Sequence, residues 1–504
     1  MLAASVVWGT AELFGSCWSP GSGMARIDGE CVGVTDGSYD FRPELAGVQQ
    51  LIEEENARVR RESSSYVTVA LLDPLSAASE TVLPDGSARH RLEGAYTALR
   101  RVNDTSIAGG TEPQIQLVLA SEGNTEAQSQ QVTDQLVEMS QREENPLVAV
   151  IGLGVSTRQT KERAEKLSAN RIPMVSAYLI ADVLDYEHIK GLIRMSPGSQ
   201  QYVKALRDYV DRPHTELKKG VVLRDTNSDN GEDLFTQALE EQFNAQMADL
   251  IGDNPTQSYT GTGVSTEGVE PYLFDTPRAN ICAAAPGGLN TILYAGREID
   301  LPAFLDSLQD RPCPNSELTI LAAGLDLGEV LQKWEKEQER KSRKSLAEAN
   351  LEVVFAGTVD VEGWGLNVPG TPAGYKEFLS VFTGQQGDLV KPGFDPGHLD
   401  GANAIMMHDA LLAAAGAVRL AKPEKGKSPT ATGVSRQLLS LNVIENSETT
   451  GNAVLGASGT VNFSPDSPKG YPVGKPIPVL QYPQPANSYS RQVEPTYRLK
   501  YDEK

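Results

Sequence analysis

The chain has 504 residues, and its 67 acidic side chains outnumber its 45 Lys and Arg to give a formal net charge of −22. A surface this acidic repels nucleic acids and anionic lipids, so the charge argues against nucleic-acid partners. Hydrophobic residues make up 39% of the chain, which is enough for a packed core, and the length suits two or three domains. The densest basic run, residues 333–344, is interleaved with Glu and is predicted to be a solvated helix face.

Residues 1–65 are predicted to form an N-terminal extension. The first 15 residues are small and apolar, like the end of a signal peptide or a lipoprotein anchor, although no Lys or Arg precedes Arg26. The alternative is a buried helix. The Gly- and Asp-rich residues 18–40 are predicted to be an irregular lead-in, and residues 43–61 have helical periodicity.

The four cysteines fall into two pairs that are close in sequence, Cys17 with Cys31 and Cys282 with Cys313. This spacing favours two disulfides in an oxidising compartment, and the alternative is four unpaired core thiols. Neither pair has the spacing of zinc ligands. We therefore expect no metal site.

The region that follows alternates between apolar runs and amphipathic segments. Strands are predicted at residues 66–72, 114–119, 147–151, 174–177 and 192–195, and helices at residues 89–101, 128–142 and 157–170. This β-α-β-α order predicts a doubly wound open sheet.

The pattern then restarts. Strands are predicted at residues 220–223, 280–284, 291–294, 318–322 and 353–361, and helices at residues 200–209, 234–243, 301–308, 327–336 and 401–420. Two open α/β lobes that each bind at the carboxyl ends of their strands form a cleft when they face each other. The fold class predicted is therefore α/β, with two doubly wound open-sheet lobes that act as a clamp.

The loop after the third strand is the main candidate for a binding site. It carries Gly152, Gly154, Ser156 and Thr157 at the start of a helix, where backbone N–H groups and hydroxyls receive anions. One alternative is a dinucleotide-binding loop, but the third glycine and the acidic residue that holds the ribose are missing. Another is a tight turn without a ligand.

Two charged residues follow strands of the second lobe. Arg297 is a candidate for holding a carboxylate, and the alternative is a surface pair with Glu298 or Asp300. Asp326 is a candidate for holding a ligand ammonium group, and the alternative is a helix N-cap. The sequence offers no Ser/His/Asp trio, so we predict that the protein is not an enzyme and has no cofactor.

Five stretches carry a resemblance to a known family. They are residues 92–96, 151–157, 172–176, 221–231 and 456–463. In this order they resemble the type I periplasmic binding proteins, specifically the extracellular ligand-binding receptors similar to the leucine/isoleucine/valine-binding protein. The resemblance covers about residues 66–482.

This resemblance implies two lobes joined by three crossovers near Ser196, Asp360 and Gly451. Lobe 1 would comprise residues 66–196 and 361–450, lobe 2 residues 197–360 and 451–485, and the tail residues 486–504.

The resemblance also implies roles for single residues. Ser156 and Thr157 match the loop that holds an amino acid's carboxylate, Ser176 and Ala177 match the next strand-end contact, and Asp326 matches the acid that holds the α-amino group. The remaining ligand-binding candidates are Ser76, Tyr178, Asn230 and Arg297. Asn230 stands where a Tyr is usual, and Ile180 stands where a hydroxyl is common; both departures argue against an aliphatic amino acid.

The function predicted is an exported, non-enzymatic solute-binding protein of the cell envelope or extracellular space. It would close over a small polar ligand, an amino acid or a related carboxylate, and serve an ABC permease or a membrane sensor. A protein-interaction module on the same fold is the alternative, and a nucleotide-dependent enzyme is a third.

Overall fold

Two α/β sheets, each covered by helices, organise the protein. The computed structural model describes residues 17, 23–76, 86–123, 126–213, 216–263, 272–324, 327–386, 389–421, 428–441, 452, 454–463, 469–483 and 497–498. Asp326 and the candidate signal or anchor segment lie outside these residues. In the described part, no helix is both long and apolar enough to cross a membrane.

The first sheet has seven strands in the order β1-β2-β4-β3-β5-β6-β7. The strands are β1 (Gly23–Ile27), β2 (Glu30–Thr35), β3 (Tyr66–Asp73), β4 (Gln114–Ser121), β5 (Leu147–Gly152), β6 (Met174–Ser176) and β7 (Leu192–Arg194), and the helices are α1 (Ala46–Glu62), α2 (Ser87–Asp104), α3 (Glu126–Ser140) and α4 (Arg158–Ala169). Strands β3 to β7 are parallel, and β2 joins β4 antiparallel. The parallel strands are apolar runs because helices bury both of their faces.

The N-terminal residues are part of this first lobe, which corrects the prediction of a separate, irregular extension. Strands β1 and β2 form a hairpin on the edge of the sheet, with Ile27 opposite Glu30 across the turn. Asp28 and Gly29 both have positive φ, which matches the right-handed twist of a two-residue hairpin. Helix α1 packs Val48 and Ile52 into the core of the same lobe.

The second sheet has six strands in the order β16-β12-β11-β10-β8-β9. The remaining strands are β8 (Gly220–Asp225), β9 (Gln257–Tyr259), β10 (Thr291–Ala295), β11 (Leu318–Ala323), β12 (Leu351–Ala356), β13 (Val454–Gly456), β14 (Gly459–Val461), β15 (Pro476–Ile477), β16 (Val479–Tyr482) and β17 (Tyr497–Arg498). The remaining helices are α5 (Ser199–Val210), α6 (Leu234–Gln246), α7 (Ala248–Ile251), α8 (Asp275–Ala284), α9 (Leu301–Gln309), α10 (Leu327–Arg340), α11 (Val361–Gly365), α12 (Tyr375–Phe382), α13 (Asn403–Leu420) and α14 (Ala431–Ser435). The predicted class of two α/β open-sheet lobes is confirmed.

Residues 280–284, which we predicted to be a strand, belong to helix α8. A short apolar run cannot be assigned to a strand or a helix by periodicity alone. The disulfide Cys282–Cys313 links this helix to the segment after α9, and Cys17–Cys31 ties the N-terminus to β2. Both predicted pairs are therefore bonded in the structure.

The long helix α13 is the centre of the first lobe. It is rich in Ala and buried from Asn403 to Val418, and it lies so close to α2 that a Cβ on Gly94 would be 2.0 Å from the carbonyl oxygen of Ala404. Residues 454–463, which the sequence-based boundaries assign to the second lobe, pack against α13 in the first core through Val454 and Val461. The passage into the second lobe therefore comes after residue 463 rather than near Gly451.

A buried polar network joins the crossovers to α13. The carboxylate of Asp409 accepts hydrogen bonds from the backbone N–H groups of Ala457 (2.7 Å) and Ser458 (2.9 Å) and from the Ser458 hydroxyl (2.5 Å). Lys475, on the last crossover, lies 3.8 Å from Asp409 and donates to the carbonyl of Met195 on the first crossover (3.1 Å). The network thus fixes two of the connections between the lobes to one helix.

The contact between α2 and α13 can be tested with a matched pair of glycine variants. We expect Gly94→Ala to lower the free energy of unfolding by about 3 kcal/mol, because the new methyl group would clash with backbone that has no room to move. Gly47→Ala, in helix α1, meets no atom within 4 Å and should raise the stability by about 0.5 kcal/mol through helix propensity. Urea unfolding measures both; equal effects of the two substitutions would contradict the close contact.

The Asp409 network should make stability depend on acid pH. Burial alone would raise the pKa of Asp409, but hydrogen bonds and the charges of His408 and Lys475 lower it to about 2. The stability from this carboxylate is therefore present at neutral pH and is lost as the pH falls through 2.

The difference in unfolding free energy between the native protein and Asp409→Asn should therefore shrink by roughly 2 kcal/mol between pH 5 and pH 2. Urea titrations at a series of pH values measure it, with the exposed Asp310→Asn as a control expected to stay within about 0.5 kcal/mol of the native protein. A difference that stays constant over this range would contradict the assignment.

Candidate functional site

The loop after β5 turns the chain sharply at the carboxyl edge of the first sheet. Gly152, Leu153 and Gly154 have φ values of 90°, 72° and 65°, so three consecutive residues occupy the left-handed region. A Cβ on Gly152 would lie 2.8 Å from the carbonyl oxygen of Leu72. Glycine is therefore required there both by the conformation and by the close approach of β3.

The hydroxyls of this loop, predicted to receive a ligand, are bonded within the chain. The Ser156 hydroxyl accepts hydrogen bonds from the N–H groups of Ile180 (3.0 Å) and Ala181 (3.2 Å). Thr157 is the N-cap of α4 and accepts from the Thr160 N–H (3.1 Å). Both residues are buried, so they shape the edge of the sheet by holding two loops together.

The segment after β6 is equally buried. The Ser176 hydroxyl accepts from the Leu179 N–H (2.9 Å), the Ala177 N–H donates to the carbonyl of Gly152 (3.4 Å), and the Tyr178 hydroxyl donates to the carbonyl of Asn403 (2.7 Å). These three candidates thus tie the strand end to the Gly152 loop and to α13.

In the second lobe, a buried ion pair stands opposite the Ser156 loop. Asp233 caps α6 by accepting from the N–H groups of Phe235 (3.0 Å) and Thr236 (3.2 Å), and its other oxygen accepts from Arg297 Nε at 2.6 Å. Arg297 is 3% exposed. The surface pairing of Arg297 with Glu298 or Asp300 is therefore wrong, because the guanidinium turns inward to the cap of α6.

The two lobes touch at this point. Thr157 forms a single antiparallel β-bridge with Asp233, and the Arg158 N–H donates to the carbonyl of Glu232 (3.1 Å). The side chains of Arg158 and Glu232 also pair at 2.7 Å. The predicted anion-receiving loop thus contacts the N-terminus of α6, where the carboxylate of Asp233 is bonded within the second lobe.

Arg297 has more hydrogen-bond donors than this pair uses. Its guanidinium lies 5.6 Å from the centre of the Phe235 ring, which covers one face. Its Nη2 atom is buried and has no hydrogen-bond partner among the described residues. A charged donor is therefore available at the carboxyl edge of the second sheet, next to the contact between the lobes.

Comparison with known proteins gives matches in structure only. No family model matches the chain, and no curated protein matches its sequence. A leucine-binding protein of Thermotoga maritima superposes with a TM-score of 0.54 at 16% identity, over 82% of this chain and 94% of that one. A branched-chain amino acid substrate-binding protein of Streptococcus pneumoniae, in complex with isoleucine, gives a TM-score of 0.55 at 16% identity, over 82% and 96%. A solute-binding protein of an ABC transporter from Rhodopseudomonas palustris, in complex with 3,4-dihydroxybenzoic acid, gives 0.53 at 13% identity, over 82% and 92%.

The chain has the fold of the type I periplasmic binding proteins. The resemblance inferred from the sequence is thereby confirmed at the level of the fold. These neighbours are solute-binding proteins rather than enzymes.

In this binding-protein fold, two further candidates lie around the same edge. The Ser76 hydroxyl donates to Glu30 on the N-terminal hairpin (2.8 Å), so the hairpin reaches the strand ends of the first lobe. Asn230 is exposed and accepts from the Glu232 N–H (3.0 Å). Asp326 lies outside the described residues, and its role stays a prediction.

Several buried acids at the strand ends were missed by the sequence analysis. Asp225 is the last residue of β8 and accepts from the Gly261 N–H (3.0 Å), while Asp300 accepts from the Thr262 N–H (3.0 Å) and hydroxyl (2.6 Å). Burial raises the pKa of both carboxyl groups. In the first lobe, burial likewise raises the pKa of Glu122, against the opposing charge of Arg163. For Asp225 and Glu122, an acid within two residues of the end of an apolar run was the available signal.

The buried pair between Asp233 and Arg297 should be important for stability. Asp233→Ala removes a helix cap and leaves a buried guanidinium without its counterion, so the free energy of unfolding should fall by about 3–5 kcal/mol. Glu232→Gln, which removes only the exposed partner of Arg158, should cost less than about 1 kcal/mol.

Urea unfolding of both variants, and of Asp233→Ala combined with Arg297→Met, tests this expectation. The double variant should lose clearly less than the sum of its two single changes. Additive losses, or an Asp233→Ala variant as stable as Glu232→Gln, would show that the pair is not coupled.

Proposed function

We propose that the protein is an exported, non-enzymatic solute-binding protein that closes its two lobes over a small ligand bearing a carboxylate. The fold supports the clamp, and the buried Arg297 is the single observation that supports the ligand class. The two lobes meet through residues at the carboxyl ends of both sheets, which is where open α/β sheets bind ligands.

Arg297 has the chemistry that a carboxylate requires. A guanidinium presents its N–H groups in a planar fork that matches the two oxygens of a carboxylate. The Nε of Arg297 donates a hydrogen bond to Asp233, and its Nη2 has no partner among the described residues. A buried donor without an acceptor costs about 1–3 kcal/mol, and a ligand carboxylate would remove that cost.

The ligands of the structural neighbours have the same group in common. The structures include complexes with leucine, isoleucine and valine, and complexes with 3,4-dihydroxybenzoic acid and p-hydroxybenzoic acid. All five molecules carry a carboxylate, whereas only the amino acids carry an α-amino group. We therefore assign the carboxylate to Arg297, near Ser156 and Thr157, and leave the α-amino group to Asp326 as a prediction.

The partner proposed is an ABC permease or a membrane sensor, since the neighbours are substrate-binding proteins of ABC transporters. Export is supported by the two disulfides, which persist in oxidising compartments. An N-terminal anchor stays a proposal from the sequence.

A protein-interaction module on the same fold is the second candidate. It is favoured by the apolar packing between the lobes, where Ala238 of α6 lies in a core cluster of the first lobe and Ile180 lies in a cluster of the second. Side chains that fill part of the cleft leave less room for a ligand.

Calorimetry distinguishes the two candidates. We expect heat with either L-leucine or 4-hydroxybenzoate, and none with the matched amides, leucinamide and 4-hydroxybenzamide, which lack the negative charge. Arg297→Met should weaken binding at least about tenfold, because a charge-assisted pair contributes about 1.5–3 kcal/mol.

Arg158→Gln is the matched control, since this exposed arginine lies at the same contact but pairs with Glu232. It should change affinity by less than about threefold. Absence of heat with both acids, or equal binding of an acid and its amide, would refute the carboxylate proposal.

A further inference from the structure

The tip of the N-terminal hairpin, residues 27–31, stands above the edge of the first sheet at which open α/β sheets bind ligands. Strand β2 runs antiparallel to β4, and their pairing ends with Gly33 opposite Ser121, which is itself opposite Asp73 of β3. Glu30, the first residue of β2, lies three positions beyond Gly33. At about 3.3 Å per residue, the tip therefore extends about 10 Å past the last paired residues.

The hairpin tip is fixed to the rest of the first lobe. One end of the disulfide Cys17–Cys31 lies in the tip. The side-chain amide of Gln128, on α3, donates to the carbonyl of Ile27 (2.9 Å). Gln135 of the same helix forms the equivalent bond at the far end of the hairpin, to the carbonyl of Gly23 (2.7 Å). A two-stranded ribbon has little stability of its own, so these links determine where the tip stands.

The side chain of Glu30 holds the segment that follows β3. Its carboxylate accepts a hydrogen bond from the Ser76 hydroxyl (2.8 Å), and this bond passes over the end of β4, which lies between β2 and β3 in the sheet. Ser121 of β4 holds the same segment, since its hydroxyl accepts from the Leu75 N–H (3.3 Å). The bond to Glu30 has a carboxylate as its acceptor and is the stronger of the two.

This segment packs against the glycine loop after β5. A Cβ on Gly154 would lie 3.7 Å from Cδ of Pro74. The Leu153 N–H of the loop donates to the carbonyl of Leu72 at the end of β3 (2.8 Å). The position of the hairpin tip is therefore coupled, through Ser76 and the residues before it, to the loop that contacts the second lobe.

We propose that the hairpin tip is a side wall of the ligand cleft and that Glu30 is a positioning residue, which holds the end of β3 in the conformation that binds the ligand. This inference rests on the proposed function, because the cleft is the one assigned to carboxylates. A wall that is fixed before the ligand arrives reduces the conformational freedom lost on binding. Its removal should therefore weaken binding without changing the groups that contact the ligand.

Calorimetry with 4-hydroxybenzoate and with L-leucine tests the inference. For whichever acid the native protein binds, we expect Glu30→Ala and Gln128→Ala each to weaken binding about fivefold, because each removes one link of the hairpin tip. Gln135→Ala is the matched control, since it removes the equivalent bond at the far end of the same hairpin. It should change the affinity by less than about twofold.

The two disulfides give a second matched comparison. Cys17→Ser combined with Cys31→Ser should also weaken binding about fivefold, because the tip loses its covalent link. Cys282→Ser combined with Cys313→Ser, in the second lobe, should leave the affinity within about twofold, although the loss of either disulfide lowers the stability.

Hydrogen exchange followed by mass spectrometry tests the same coupling without a ligand. In Glu30→Ala, the amides of residues 72–76 and 152–157 should exchange at least about threefold faster, while those of β10 to β12 stay unchanged. Unchanged exchange at residues 72–76, or an equal loss of affinity in Glu30→Ala and Gln135→Ala, would overturn the inference. If neither acid gives heat with the native protein, the carboxylate proposal fails, and the exchange rates alone decide whether Glu30 positions the end of β3.

Discussion

The contact between the Ser156 loop and the N-terminus of α6 determines how the two lobes are arranged. Thr157 caps one helix and Asp233 caps another, and the β-bridge between them brings two helix N-termini together. Two positive helix ends would repel each other. The carboxylate of Asp233 lies at this junction, and Arg297 balances its charge. A buried acid is stable only when it is paired and hydrogen-bonded, so this pair stabilises the second-lobe side of the contact.

A rigid frame supports this contact from the other side of the molecule. Helix α13 is buried along nearly its whole length, and its Asp409 binds the turn between β13 and β14 and faces Lys475 on the last crossover. Gly94 lets α2 lie directly against α13. Small residues in a helix interface allow the backbones to approach, and the interior then resists deformation. The polar network around Asp409 attaches the crossovers to this packed interior.

The two ends of the space between the lobes carry different side chains. At the end near α6, the available group is a guanidinium whose Nη2 has no partner among the described residues, which suits an anion. Beside the second crossover, three carboxylates and aromatic rings line a cavity of about 460 Å³. The net charge of −22 repels anions from most of the surface, so a local positive group such as Arg297 is needed to attract one. The N-terminal hairpin adds a further element at the first edge, since Glu30 holds Ser76.

Much of the fold can be predicted from local patterns in the sequence. Apolar β-branched runs such as residues 147–151 form strands wherever both faces are buried, and the alternation of such runs with amphipathic segments determines two parallel sheets. The glycines at 152 and 154 predict the turn because only their backbone conformation fits it. The hairpin at Asp28 and Gly29 was also visible as a turn signal, but its polar surroundings favoured an irregular segment.

The partners of the site residues were decided only by the tertiary structure. Thr157 and Asp233 are 76 positions apart, and Asp233 and Arg297 are 64 apart. No periodicity or motif connects such positions, because Thr157 meets Asp233 only when the two lobes pack together, and Asp233 meets Arg297 only when the elements of the second lobe pack. For the same reason the sequence indicated that Ser156 and Arg297 are candidates but not that Ser156 binds backbone or that Arg297 is buried. Local conformation is determined by near neighbours in the chain, whereas the counterion of a buried charge is determined by how distant elements pack in the tertiary structure.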